Sequence, residues 1–172
     1  FDTWNKMAEL YESKFMDLDL YNDTYDFVCQ SISKQNAKIL DVGCGPGNIA
    51  RYLLSKRPDF MLVGLDAAPK MIELAKKNNP SADFKVMDVR NLHELETSFD
   101  GIINGFCLPY LSEKESFDFI RNSYDVLNEN GWIYISFVEG DPYLSEYKTG
   151  SSGDRVYFYF HELETIQNQL KE

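Results

Sequence analysis

Basic residues are scarce in this chain: 17 Lys and Arg stand against 28 Asp and Glu in 172 residues, a formal charge of −11. A polyanion would be repelled at long range unless a local basic patch overrode that field, so neither nucleic acid nor an anionic membrane surface is an expected partner. Cysteine is scarce too. Cys29, Cys44 and Cys107 are odd in number, far apart, and show neither CxxC nor Cys/His ligand spacing, so no disulfide framework and no metal site is predicted. Long hydrophobic runs are missing: the longest are about six residues, against the ~20 needed to cross a bilayer. No signal peptide precedes them, and the expectation is a soluble protein in a reducing, cytoplasmic setting. Internal repeats and low-complexity tracts are absent as well.

What is present is a core-forming composition, 44% apolar and 15% aromatic, in the size range of one compact domain. Short apolar runs at 39–42, 61–65, 84–87, 102–104 and 132–138 alternate with amphipathic stretches. That alternation predicts an α/β fold with a doubly wound, mostly parallel sheet covered on both faces. The linking helices carry their own punctuation. Pro58 ends the one that buries Ile49 and Leu53, Pro69 suits a first turn, and Ser112 with Glu115 has capping-box spacing with Gly131 as the stop. Two aromatic-rich helices are predicted ahead of the first strand, over 4–15 and 21–32. The stretch "EYKTGSSGD" (146–154) reads as a surface hairpin or a mobile lid. The expected organisation is one domain over 1–172: a helical cap over 1–36, a core over 37–138, and a hairpin or lid with a C-terminal helix over 139–172.

The first strand runs into "DVGCGPGN" (41–48). A strand that ends at Asp41 and turns through Gly43, Gly45 and Gly47 into a helix offers unpaired backbone N–H groups, and the missing Cβ atoms let a nucleotide-like or anionic group approach the main chain. Spacing sorts the ligand classes. A phosphate-binding P-loop needs Lys-Ser/Thr after the last glycine, and Asn48-Ile49 stands there instead. A dinucleotide GxGxxG would need its third small residue at position 48, where Asn48 is a poor match.

The remaining pattern, acid-x-GxGxG, resembles motif I of the class I S-adenosylmethionine-dependent methyltransferases, and the likeness continues for about a hundred residues downstream. "VGLDAAPKMIELAKKN" (63–78), "FKVMDVRNL" (84–92), "FDGIINGFCLPYL" (99–111) and "LNENGWIYISF" (127–137) resemble that family's next segments in order. The resemblance implies S-adenosyl-L-methionine as cofactor. Its methionyl part would lie along the turn at 43–47, which includes Cys44, with the amino group drawn toward Asp41 and the carboxylate toward loop N–H groups or Asn48. Asp66 would accept the ribose hydroxyls. Asp88 would accept the adenine amino group, Val89 would offer a backbone N–H, and Ala67 and Met71 would lie against the ring. Asn104 and Phe106 would face the transferred methyl, and Tyr11, in "MAELYESKF", would fold over the cofactor, where an aromatic face near a sulfonium gains ~0.5–2 kcal/mol.

Methyl transfer from a sulfonium depends chiefly on alignment, so no catalytic triad is expected and the catalytic residues are left unassigned. A hydroxyl or carbon acceptor would need a base, for which His161, Glu139 and Tyr110 are conceivable; His161 also reads as a cap of the last helix. The fourth-strand tip, Asn104-Gly105-Phe106-Cys107, lacks the Pro-Pro of nucleic-acid amino methyltransferases, and a small molecule is the expected acceptor. The alternatives are a cofactor-binding module without turnover and an NAD-dependent oxidoreductase. The sequence stops at Glu172 with no segment for the family's last antiparallel hairpin. The fifth-strand edge is therefore expected either to be covered by "RVYFYF" or to pair with a second copy as a homo-oligomer.

Overall fold

The computed structural model describes residues 2–150 and 153–171. Helices α1 (Asp2–Phe15) and α2 (Asn22–Ser31) precede a run of alternating elements: β1 (Lys38–Val42), α3 (Asn48–Lys56), β2 (Met61–Asp66), α4 (Pro69–Asn78), β3 (Asp83–Val86) and β4 (Phe99–Gly105). Then come α5 (Glu113–Val126), β5 (Leu127–Ser136), β6 (Glu146–Thr149), β7 (Arg155–Phe158) and α6 (Leu163–Gln169). The five strands β1 to β5 form one sheet in the order β3-β2-β1-β4-β5, with every pairing parallel. This is the doubly wound α/β arrangement that the alternation predicts.

Strand β1 lies at the centre, and its near-continuous apolar run reflects burial on both faces. Ile39 packs with Val28, Ile49 and Leu53 on one side, while Leu40 and Val42 pack with Phe99, Ile102 and Phe119 on the other. The chain winds one way from β1 to β2 and β3, and the other way to β4 and β5, so the strand order reverses between β1 and β4. A crevice opens beyond the carboxyl ends of the strands at such a reversal.

Local signals are borne out where they were strong. Pro69 stands in the first turn of α4, and Ser112 with Glu115 closes a full capping box on α5. Gly131 does not stop α5. The helix ends at Val126 and enters β5 directly; β4 advances from Phe99 to Gly101 while β5 advances from Leu127 to Trp132, so the extra residues bulge. Asn130 sits there at φ +61°, and a Cβ on Gly131 would lie 2.9 Å from the Asn128 carbonyl oxygen.

Strands β6 and β7 pair antiparallel with each other in a separate two-stranded sheet. "RVYFYF" therefore does not cover β5. Its strand is claimed by β6 through the edge-on contact of Tyr147 with Tyr157, at 5.0 Å, and Arg155 stacks on Tyr147 at 4.6 Å. The hairpin rests instead on the turn Leu108–Tyr110, where the Tyr159 N–H donates to the Pro109 carbonyl at 2.8 Å. Past the end of β5, Glu139 bridges in parallel to His161. Among the described residues no helix is long and apolar enough to cross a membrane.

Candidate functional site

The crevice at the β1/β4 reversal holds two adjoining cavities, of about 120 Å³ and about 620 Å³. Gly43, Gly45, Phe106, Tyr11 and Tyr110 line both.

The glycine loop is built by bonds to its neighbours. Cys44 N–H donates to the Leu65 carbonyl at 2.9 Å and Gly47 N–H to the Cys44 carbonyl at 3.0 Å. Asp66, at the tip of β2, accepts from Gly45 N–H at 2.9 Å and from Ala68 N–H at 2.8 Å, tying the loop to the start of α4. From the far end of α4, Asn78 Nδ2 reaches the Pro46 carbonyl and Asn79 Nδ2 the Gly47 carbonyl, each at 3.0 Å.

The three glycines serve different ends. All lie at positive φ, but a Cβ on Gly47 would stand 2.4 Å from Asn79 Nδ2 and 3.3 Å from the Ala75 backbone, so this glycine lets α4 pack. A Cβ on Gly43 would meet Cys107 at 3.0 Å. Gly45 alone faces open space, with only the Tyr11 ring at 3.7 Å. Close approach of a ligand to the main chain is therefore a matter of Gly45 above all.

The smaller cavity gathers Asp66, Ala67, Met71, Asp88 and Val89, five of the positions named from the sequence. The larger one adds Cys44 and Asn48. Asp41, Gly47 and Asn104 line neither: Asp41 and Asn104 are fully buried beneath the cavity floor. Neither oxygen of Asp41 makes a hydrogen bond of full geometry; burial, then the neighbouring Asp66, push its carboxyl up to about 7, opposed by the Ala50 N–H at the start of α3. Burial likewise raises the Asp66 carboxyl, opposed by its two backbone donors.

Asp88 caps the short helix Val89–Glu94 by accepting from Arg90 N–H at 3.0 Å. The Arg90 guanidinium then forks onto both oxygens, at 2.9 and 2.8 Å, and reaches on to Glu115 at 3.1 Å. Asp88 is thus at once a helix cap and a carboxylate facing a cavity. At the β4 tip, Phe106 takes the left-handed conformation at φ +59°, a conformation costing a bulky residue on the order of 1–3 kcal/mol. Ser136 holds it there, since Phe106 N–H donates to the Ser136 hydroxyl at 3.0 Å and lies 3.2 Å from its carbonyl. Asn104 Oδ1 accepts from Cys107 N–H at 3.2 Å. The turn so fixed turns the Phe106 ring toward Tyr21, 5.0 Å away.

No side chain in the cavities is poised as a strong base. Burial, followed by Asp66 and Asp41, pushes the Tyr11 phenol up to about 12; burial raises Tyr110 as well and pushes the Cys107 thiol up to about 12. His161 is buried away from both cavities, with Nε2 2.9 Å from the Leu108 carbonyl, and precedes α6 instead of opening it. Glu139 is exposed and lines neither cavity. Among the described residues no cluster of three or more His, Cys, Asp or Glu is placed to hold a metal ion. Sequence reasoning missed Trp4, Met87 and Arg90 as lining residues, and Asn78 and Asn79 as loop anchors. An arginine two residues beyond an acid, or an Asn pair at a helix end, has no spacing signature that would have flagged it.

A family model described as "Methyltransferase domain" matches residues 39–131. The chain is 34% identical over 133 residues to 235L of Invertebrate iridescent virus 6, named as a methyltransferase, covering 77% of this chain and 47% of that protein. It is 35% identical over 98 residues to the demethylmenaquinone methyltransferase of Thermotoga maritima, covering 57% and 42%. The chain thus spans about half the length, or less, of these curated relatives. Among solved structures it superposes on the DhpI–SAH complex with a TM-score of 0.77 at 14% identity, over 99% of this chain and 83% of that one. On the PH0226 protein of Pyrococcus horikoshii the TM-score is 0.70 at 21% identity, over 91% and 82%. Identities this low establish a shared fold.

Proposed function

The chain belongs to the methyltransferase-domain family, and from that premise we propose that it transfers a methyl group from S-adenosyl-L-methionine to a small-molecule acceptor. The observation that carries this reading is the pairing of two separate acidic tips on one cavity, Asp66 and Asp88, beside the open face of Gly45. An ionised carboxylate accepts strongly from hydroxyl and amino groups, so Asp66 suits a ribose diol and Asp88 the adenine amino group, with Val89 offering its N–H. Ala67 and Met71 supply apolar contact to the purine. The loop around Gly43, Cys44, Gly45 and Asn48 takes the methionyl part, with Gly47 holding the loop's shape against α4, and the buried Asp41 beneath it accepts from the amino group, whose positive charge would favour the ionised carboxylate. Asn104 shapes the tip that presents Phe106, and Tyr11 closes over the sulfonium. The helices before β1 act as cap and the β6–β7 hairpin as lid of a single catalytic unit.

The cofactor supplies the activated methyl; the chain's own residues orient it and exclude water. Alignment of two bound reactants is where the rate gain of such a displacement arises. Isothermal titration with S-adenosylmethionine and S-adenosylhomocysteine tests the reading. Binding of both is expected, weakened about tenfold or more by Asp66→Asn or Asp88→Asn, as for loss of a charge-assisted hydrogen bond. A folded wild-type protein that gives no heat with either compound would overturn it.

A further inference from the structure

The larger cavity names a class of acceptor. Beyond the positions assigned to the cofactor it is walled by Phe15, Leu18, Tyr21, Tyr25 and Tyr52, facing Phe106. These rings are packed against one another: Tyr21 lies 5.0 Å from Phe106 and Tyr25 5.9 Å from Tyr52. Aromatic faces attract cations and tolerate flat apolar molecules.

The charges around this wall are paired ones: Arg51 lines the cavity beside Asp17, and the Lys56 ammonium sits 5.2 Å over the Tyr52 ring and 3.4 Å from Asp26. Burial first, then Tyr134 and Asp41, raises the Tyr25 phenol, and burial, then Asp66 and Asp41, raises that of Tyr11, so both present neutral hydroxyls to the cavity. Arg51 is the one basic residue lining the cavity among the described residues, and its guanidinium is engaged by Asp17 and the Met16 carbonyl. An anionic acceptor would enter toward Asp66, with both nearby cations, Arg51 and Lys56, already paired to Asp17 and Asp26. A base is wanting too. Asp17, the carboxylate lining this cavity, has a side chain 92% exposed and paired to Arg51, and the Tyr52 hydroxyl already donates to Asp26 at 2.8 Å. A hydroxyl or thiol acceptor, which must shed a proton, finds no group to take it.

From this aromatic wall and the missing base we propose that the acceptor is a flat, uncharged heteroaromatic compound with a pyridine-type nitrogen, methylated to a cation. The inference rests on the methyltransferase reading above and narrows its substrate. In the step, the nitrogen lone pair forms the new N–CH3 bond as the C–S bond breaks and its electron pair returns to sulfur. The positive charge passes from sulfur to nitrogen and no proton has to leave, so the pocket holds one cation before and after transfer. Aliphatic amines are disfavoured, because they are protonated near neutral pH and the wall offers no base to free the lone pair.

Protein saturated with S-adenosylhomocysteine, so that the cofactor site is filled, is titrated calorimetrically with N-methylquinolinium as a product-like cation and with 2-naphthoate as an anion of similar shape. N-methylquinolinium is expected to bind at least about tenfold tighter, and Tyr21→Leu to weaken it about tenfold, with Tyr21→Phe retaining it. Equal or tighter binding of 2-naphthoate, or an unchanged quinolinium affinity in Tyr21→Leu, would overturn the proposal while leaving the cofactor reading intact. Failure of S-adenosylhomocysteine itself to bind would remove the cofactor reading and this inference with it. Thermal melting of each variant shows that a lost affinity is not a lost fold.

Discussion

Asp41 is the residue whose environment most contradicts its chemistry, a carboxyl with no exposed surface and no hydrogen bond of full geometry, opposed only by the Ala50 N–H at the start of α3. Its proton is held up to about pH 7 in the folded chain, against 3.8 for an unperturbed aspartate, because burial and then Asp66 disfavour the charge. Between those two pH values the folded state binds more protons than the unfolded one, so this residue's contribution to stability falls as pH rises through the window. The upper limit of the loss is on the order of 4 kcal/mol. Urea denaturation from pH 4 to pH 8 is expected to show the wild-type chain losing stability relative to Asp41→Asn, with the gap levelling off above pH 7. Parallel curves for the two proteins would mean that the buried carboxyl is already solvated or paired. The sequence showed that an acid stands at the end of β1; that it is wholly buried there comes only from the fold. Gly47 is similar. Its spacing read as ligand cradle, and only the placement of Asn79, thirty-two positions on, makes it a packing glycine.

Elements that meet through their ends were the least legible. Arg57 follows α3, and nothing in its neighbours marks it out, yet Nη1 donates to the Cys29 and Ile32 carbonyls at 3.0 and 2.6 Å and Nη2 to the Lys34 carbonyl at 2.9 Å. The same guanidinium forks onto Asp59, so it joins the C-terminal end of α2 to the approach to β2. Carbonyls at a helix end have no intrahelical partner, and removing their donor leaves part of that need unmet. Arg57→Ala is expected to cost about 2–3 kcal/mol, and Arg57→Lys to recover less than half of it, since an ammonium cannot span three carbonyls and a carboxylate from one planar fork. The check is equilibrium unfolding of the three proteins; a loss under ~0.5 kcal/mol, the range of ordinary surface changes, would show the network to be idle. The capping box on α5, by contrast, was read directly from Ser112 and Glu115, because both partners lie within one turn. Contacts within a few residues leave a pattern in sequence. Contacts between elements leave one only through the fold.

On the scale of the molecule, alternation predicted a mostly parallel, doubly wound sheet but not its strand order; the order β3-β2-β1-β4-β5 and its reversal between β1 and β4, which place the site, come from the structure. What alternation could not convey is how far the crevice is closed. The nucleoside end offers about 120 Å³ of free space and opens into the larger cavity of about 620 Å³, so the wall that bounds it is the part expected to yield when a cofactor binds. Asp66 and Asp88 follow strand ends of the central sheet and are poor candidates for that wall. Helix α1 is a better one. It is held by a small cluster in which only Ala8 of its residues is fully buried, against Ala68 and Met71, with Trp4 and Tyr11 packed around them. Segments with few buried apolar contacts open at low free-energy cost. Trp4 stands edge-on to Tyr110 at 5.0 Å across the cavity, whereas Trp132, the second of the two tryptophans, lies 48% exposed on β5. S-adenosylhomocysteine is therefore expected to shift the tryptophan emission in Trp132→Phe and not in Trp4→Phe, and to slow hydrogen exchange across 2–15 more than across β1 and β4. A shift that persists in Trp4→Phe, together with α1 amides equally protected with and without the ligand, would place the moving wall elsewhere, and the turn Leu108–Tyr110 with the hairpin behind it would be the next segment to follow.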